Sequence, residues 1–349
     1  MLKIAFIHNY YIHYRLPLFE LLSRKYDVTF FFDAIHPYVT KISHKIIFKI
    51  PFNVCIGIVV IPLLLWYHLV KGKFNLFIAG DALNISTIMT FIIAKLLMKP
   101  FILWEERWFW IKNMKASLIW PLIRLISLKS HALVVPGRKA KEFYIKLGIK
   151  EEKIFTAPNA SLISISKSHR IKAKELRKKL NLKNKVVILY LGRVIKLKGV
   201  EILLRAVAKI CSEGFNNVYL IIAGDVDDPY RVRLNRLCKE LGLNNVYFAG
   251  FVSEDDKAVY LQLADIVTYP SICEVWGLVI NEAMSVGKPV ISTTSGGGAC
   301  ELIKNGINGY IVPPGDVDAL SKALKKLIQD SCLRRRFGRA SKKIIEHYL

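Results

Sequence analysis

Short, densely apolar runs alternate along the chain with longer segments whose apolar residues recur three and four apart. LKIAFIH (2–8), DVTFFFD (27–33), FNLFIAGD (74–81), PFILWEE (100–106), HALVVPG (131–137) and KIFTAPNA (153–160) have the length and content of buried strands. Between them, PLFELLSRKY (17–26), ISTIMTFIIAKLLM (85–98) and RKAKEFYIKLG (138–148) carry helical spacing. Residues 161–185 are polar and basic and hold no apolar run able to build a core. The alternation resumes with strand VVILYLGR (186–193), helix EILLRAVAKIC (201–211), and strands VYLIIAG (218–224) and VYFAG (246–250). It continues with strand PVIST (289–293), a glycine loop SGGGAC (295–300), a hairpin-like NGINGYIVPPGD (305–316) and helix DALSKALKKLIQD (318–330). Strands alternating with helices imply an α/β chain with two Rossmann-like, doubly wound parallel sheets. The expected division is 1–160, a basic linker with an exposed helix over 161–185, 186–330, and a C-terminal helix within 331–349.

Two stretches depart from this pattern. Residues 54–70, VCIGIVVIPLLLWYHLV, are just long enough to cross a bilayer core of about 30 Å. Pro62 interrupts the run and Lys49, Lys71 and Lys73 flank it, so a strand-like segment followed by a buried or interfacial helix is the favoured reading. Residues 108–130 mix Trp108, Trp110 and Trp120 with Lys and Arg, which suits either a lipid interface or an ordinary domain helix.

Composition narrows the field. At 349 residues and 53% apolar content the chain can fill two cores. The formal charge is +25, spread over both halves: residues 1–160 hold 22 Lys+Arg against 9 acids, and the remainder 30 against 18. Such a surface suits anionic partners. The chain shows neither zinc-ligand spacing nor an RNA-binding aromatic signature, which points away from nucleic acid and toward an anionic membrane face or a diphosphate-bearing ligand. The six cysteines are scattered without a C-x-x-C pair, as in a reduced, cytoplasmic protein. The N-terminus leads straight into a strand with no signal-peptide pattern. The loop after that strand lacks G-x-G-x-x-G, which argues against a nicotinamide dinucleotide enzyme.

Residues 265–289, DIVTYPSICEVWGLVINEAMSVGKP, carry the densest chemistry. A strand breaks at Pro270, a loop carries Glu274, and Gly277 opens a helix that Gly287 and Pro289 end. The free N–H groups near Gly277, Leu278 and Val279 form an anion seat, and Glu274 and Glu282 stand on either side of it. Such an arrangement suits a phosphorylated polyhydroxy ligand; the bland alternative is two solvated acids around an ordinary turn. A second motif, Gly192-Arg193 with Lys198 five residues on, follows the strand at 186–191. The glycine admits a diphosphate, and two cations in one loop offset the charge that grows on a departing nucleoside diphosphate. Read alone, it is a surface Arg and Lys in a basic protein. Within these two motifs there is no D-x-D or other metal cluster, so no metal and no cofactor beyond a nucleotide-sugar substrate is expected.

The stretch E-V-W-G-L-V-I-N-E followed by A-M-S-V-G-K-P-V-I resembles the E-x7-E donor signature of retaining, glycogen-synthase-like glycosyltransferases of family four, which have the GT-B fold. The resemblance is close over 186–330 and loose before it. It implies two Rossmann-like domains facing across a cleft, the acceptor bound by the first and the donor by the second, with the C-terminal helix packing back toward the first domain. It also implies that Glu274 faces the donor sugar, Glu282 the ribose hydroxyls, and the helix N-terminus the diphosphate, with Arg193 and Lys198 acting without metal. Catalytic work would fall to Arg193, Lys198 and Glu274, and donor binding to Gly192, Gly277, Leu278, Val279 and Glu282. The family's P-N-G-V-D loop reads P-N-A-S here, where Asn159 matches but the glycine and aspartate are missing. Its N-domain histidine and glycine loop have no recognisable counterpart, leaving His8, His13, Asp81, Glu105 and Glu106 at strand ends as candidates. The reaction implied is transfer of a sugar, with retention, to a glycan or lipid-linked acceptor by a cytoplasmic protein resting on an anionic membrane face. The rivals are a nucleotide-sugar epimerase on the same fold and a non-catalytic sugar- or lipid-binding subunit.

Overall fold

The computed structural model describes residues 1–11, 13–35, 48–49, 53–56, 59–62, 64–109 and 114–348. The chain forms two compact units, 1–158 and 159–349.

The first unit runs β1 (Lys3–Tyr11), α1 (Leu16–Lys25), β2 (Asp27–Ile35), β3 (Phe48–Lys49), β4 (Asn53–Ile56), β5 (Val59–Pro62), α2 (Leu65–Lys71) and β6 (Leu76–Gly80). It continues with α3 (Ile85–Leu96), β7 (Phe101–Trp104), α4 (Met114–Lys129), β8 (Ala132–Val135), α5 (Arg138–Lys146) and β9 (Ile154–Thr156). Seven strands form one parallel sheet in the order β3-β2-β1-β6-β7-β8-β9. Alternate residues fill the two faces: Ile4, Phe6, Phe30 and Phe32 pack with Phe19 of α1, while Ala5, Ile7 and Phe31 pack with Leu65 and Leu69 of α2. Strands buried on both faces have no polar side to show, which is why their sequence lacks alternation.

Segment 54–70 resolves into the antiparallel hairpin β4–β5 followed by the seven-residue α2, with residues 57, 58 and 63 outside the described set. Among the described residues no helix is long and apolar enough to cross a membrane. Within 108–130, residues 114–129 form the domain helix α4. Trp120, Ile123 and Ile126 of α4 enter the core, and the Trp120 ring packs 5.6 Å from that of Phe143. Trp108 is half-buried with the Lys139 ammonium over its ring, and Trp110 lies outside the described residues.

The second unit runs α6 (Lys167–Lys179), β10 (Val186–Leu191), α7 (Val200–Ser212), β11 (Val218–Ala223), α8 (Asp228–Glu240), β12 (Val246–Gly250), α9 (Glu254–Leu263) and β13 (Ile266–Tyr269). It ends with α10 (Leu278–Ser285), β14 (Val290–Thr293), α11 (Gly297–Leu302), β15 (Gly309–Val312), α12 (Val317–Gln329) and α13 (Ser331–Ile345). Its six parallel strands lie in the order β12-β11-β10-β13-β14-β15, so the strand order reverses between β10 and β13. Ligands of open α/β sheets bind beyond the carboxyl ends of the strands at such a reversal. The basic helix predicted within 161–185 is α6, which is capped by Ser166 and packs on α9.

Two sequence expectations are corrected here. The glycine run at 295–300 is not a free loop, because Gly297–Leu302 is helical. Residues 305–316 are not a hairpin either, since β15 joins β14 in parallel. The C-terminal helix α13 packs on α10 inside this unit. Gly338 lies against the Gly287 backbone there, and the Ser341 hydroxyl donates to the Lys288 carbonyl at 2.8 Å.

Candidate active site

β10 and β13 are adjacent, so the loops that leave their carboxyl ends are adjacent too. The first carries Gly192, Arg193 and Lys198; the second carries Ser271 and Glu274. They are joined through one carbonyl: Leu197 O accepts from Ile272 N at 2.8 Å and from the Ser271 hydroxyl at 3.1 Å. Thr293 at the end of β14 donates its hydroxyl to the Ser271 carbonyl at 2.5 Å, tying in the next strand.

The result is a short ion pair, Lys198 Nζ to Glu274 Oε2 at 2.7 Å, with both side chains mostly withdrawn from water. The same oxygen accepts the Tyr269 hydroxyl at 2.6 Å. Burial first, and then the Glu274 carboxylate, push the Tyr269 phenol well above its ordinary range, so it stays a donor. The Tyr269 ring stacks on that of Tyr190, whose hydroxyl donates to the Arg193 carbonyl at 2.7 Å. Arg193 itself is exposed and has no ion-pair partner among the described residues.

Helix α10 starts beside this cluster. Gly277 is its N-cap at φ +87, a left-handed conformation that suits glycine, and no side chain caps the first turn. Its first N–H groups, including those of Leu278 and Val279, have no intrahelical partners and carry the positive end of the helix dipole. Four residues after Leu278, buried Glu282 accepts from Lys257 Nζ at 3.4 Å and from the Ser161 hydroxyl at 3.1 Å. Burial works to lower the Lys257 pKa, but Glu282 and Glu254 together hold its ammonium above the ordinary range.

The structure therefore gathers Gly192, Arg193, Lys198, Glu274 and the start of α10 at one strand reversal, and places Glu282 within α10. It also binds Gly297 and Gly298 to the Glu274 loop. Gly297 N and Gly298 N donate to the carbonyls of Glu274 and Trp276, and a Cβ on Gly298 would stand 2.5 Å from Trp276 O. These glycines let α11 press against the Glu274 loop. Trp276 is buried below the loop, and its indole N–H donates to Asn281, whose amide reaches the Asn159 carbonyl. Tyr269 and Tyr190 escaped the sequence reading, because a Tyr in an apolar strand carries no motif of its own.

The first unit brings its candidates into two groups at strand ends. Arg15 donates to His8 Nε2 at 2.7 Å and pairs with Glu106. Burial, then Arg15, hold the His8 pKa well below its ordinary value, so the ring is neutral. Asp81 pairs with Arg107 at 3.1 Å, and Glu105 accepts the N–H groups of Ala82 and Arg107. Burial and the nearby Asp81 push the Glu105 carboxyl up to about 7. The backbone of His13 lies in the turn His13–Arg15. Among the described residues no three His, Cys, Asp or Glu side chains are grouped to hold a metal ion.

Comparison with known proteins gives the family of the second unit. Residues 172–344 match the family described as glycosyl transferases group 1, so the second unit is a domain of that family. An uncharacterized glycosyltransferase of Methanocaldococcus jannaschii is 37% identical over 164 residues, 46% of this chain and 41% of that protein. The alpha-D-kanosaminyltransferase of Streptomyces kanamyceticus is 33% identical over 165 residues, 47% of this chain and 42% of that protein. The matched part thus spans about two fifths of these relatives' length. Among solved structures, Anabaena HepE in complex with UDP superimposes with a TM-score of 0.83 at 21% identity, over 99% of this chain and 95% of that one. The same protein has been crystallised with UDP-glucose. At that identity the likeness establishes the two-domain α/β fold of the GT-B glycosyltransferases.

Proposed function

We propose that this protein is a retaining glycosyltransferase that moves a sugar from a nucleoside diphosphate to a glycan or lipid-linked acceptor, without a metal ion. The observation that carries the reading is the Lys198–Glu274 pair at the β10/β13 reversal, beside the uncapped start of α10. A diphosphate seats on the α10 N–H groups, with Gly277 offering no side chain to obstruct it. The Lys198 ammonium has three N–H donors. Glu274 takes one and the Cys273 carbonyl, at 3.4 Å, a second, so one remains for a phosphate oxygen. Exposed Arg193 supplies a second cation, and the two offset charge as the diphosphate leaves. Glu274, fixed by Lys198 and Tyr269, faces the sugar, and Glu282 accepts from the ribose hydroxyls. The fold shared with HepE makes uridine nucleotides the first donors to test.

The acceptor is lipid-linked in this reading, and the protein attaches to an anionic membrane face. The net +13 of residues 1–160 (22 cations less 9 acids) supports that attachment. The deciding experiment measures nucleoside diphosphate release from a donor with and without acceptor glycans. Acceptor-dependent release is expected. Inversion at the sugar ring without release would mean an epimerase, and binding without turnover a non-catalytic subunit.

A further inference from the structure

Met98 stands where four other helices of this chain place glycine. Helix α3 ends in a paired turn, with Lys99 N donating to Ala94 O at 2.8 Å and Met98 N to Lys95 O at 3.1 Å. This closure forces the residue after the C-cap into a left-handed conformation, and Met98 adopts φ +52. At the same position α5, α7, α8 and α10 have Gly148, Gly214, Gly242 and Gly287, α6 has Asn181, and α2 has the polar Lys73, so Met98 is the apolar member of the set. A long side chain at a left-handed site carries a conformational cost that glycine escapes. Met98 is moreover 90% exposed and Leu96 77%, with Leu97 half as open and Lys95 and Lys99 on either side. Neither packing nor backbone geometry accounts for an apolar tip there.

We propose that this turn, Lys95 to Lys99, is the element that seats the protein on an anionic lipid bilayer. The proposal rests on the membrane attachment stated above and names the part of the chain responsible. Three apolar side chains on a tight turn are too few for a protein interface, which needs about 800 Å² per partner. They are enough for shallow insertion, where each side chain leaving water contributes roughly tenfold in partitioning. The surrounding charge is basic. Lys95 Nζ donates to the Lys129 carbonyl at 2.6 Å, and burial, then Lys129 and Lys153, hold the Lys95 ammonium below its ordinary range. Each lysine near an anionic leaflet adds about fivefold. Helix α2, which packs on α3, adds exposed Trp66 and Val70. The turn leads into β7 and so lies at the amino ends of the strands, opposite Asp81 and Glu105. It can be altered without touching those groups.

The test is flotation of the full chain with phosphatidylcholine vesicles containing or lacking phosphatidylglycerol. Wild type is expected to float with the anionic vesicles and to be released by salt. Met98→Gly should bind about tenfold more weakly with an undiminished melting temperature, since it relieves the left-handed strain. Leu96→Glu/Met98→Glu should lose binding a hundredfold or more while titrating nucleoside diphosphate like wild type. Wild-type flotation that both variants match would overturn the role of the turn and leave membrane attachment standing. No flotation of wild type with either vesicle would remove the attachment itself. Self-association of wild type that the variants abolish would make the turn a contact between copies of this chain and overturn the proposal.

Discussion

Lys198 Nζ and Glu274 Oε2 lie 2.7 Å apart although 76 residues separate them, and each approaches from the end of a different strand. Their loops share the Leu197 carbonyl and are linked through Ser271 and Thr293, so neither can shift without the other. A charge pair held this firmly at a strand reversal is preorganised, and such groups stabilise developing charge without reorganising during the reaction.

Replacing Lys198 or Arg193 by Ala should therefore lower kcat by about a hundredfold or more and raise the donor KM less, because leaving-group charge grows toward the transition state. Steady-state kinetics without added metal provides the check, with chelator leaving wild type active. Activity abolished by EDTA and restored by magnesium or manganese would rule out the metal-free arrangement.

Gly298 links packing to chemistry. A Cβ there would stand 2.5 Å from the Trp276 carbonyl, so Gly298→Ala must push the loop carrying Glu274 or displace α11. Overpacking of this kind costs about 1–3 kcal/mol. A lower denaturant midpoint together with reduced turnover is expected. Wild-type values of both would show that α11 does not brace the loop.

Most strands lie within a few residues of where the apolar runs predict them, because a strand buried on both faces must be apolar throughout. The failures have a common source in tertiary contact. α11 opens with two glycines and is only six residues long, so local propensity speaks against it; the hydrogen bonds of Gly297 and Gly298 to the Glu274 loop hold it in place. β15 follows a tight turn at 305–308 that looks like a hairpin, yet it pairs with β14 in parallel. Arg193, Lys198, Glu274 and Glu282 stand out in the sequence through the two motifs and the family resemblance. Tyr269 does not, because its ring counts as one more apolar strand residue and only the fold shows where its hydroxyl points.

The pH dependence of stability should report Glu105. Its carboxyl titrates at about 7 in the folded protein, raised by burial and by Asp81 from 4.5 in the unfolded chain. The folded state thus binds the proton more tightly, so this stabilisation is full below pH 4.5 and is lost as pH rises through about 7. Melting temperatures across that window should fall less steeply in Glu105→Gln. A variant whose profile parallels wild type would mean that Glu105 ionises normally.

The central claim is that β10, β13 and the start of α10 hold a nucleoside diphosphate. Calorimetric titration with UDP, GDP, ADP, CDP and dTDP tests it most directly, because these cover the nucleotide part of the common donors whatever the sugar. At least one should bind wild type. Glu282→Gln, which keeps the side chain's shape beside Lys257 and Ser161, should weaken that binding about ten- to hundredfold, the worth of a charge-assisted hydrogen bond. Failure of all five to bind folded wild-type protein would contradict the account.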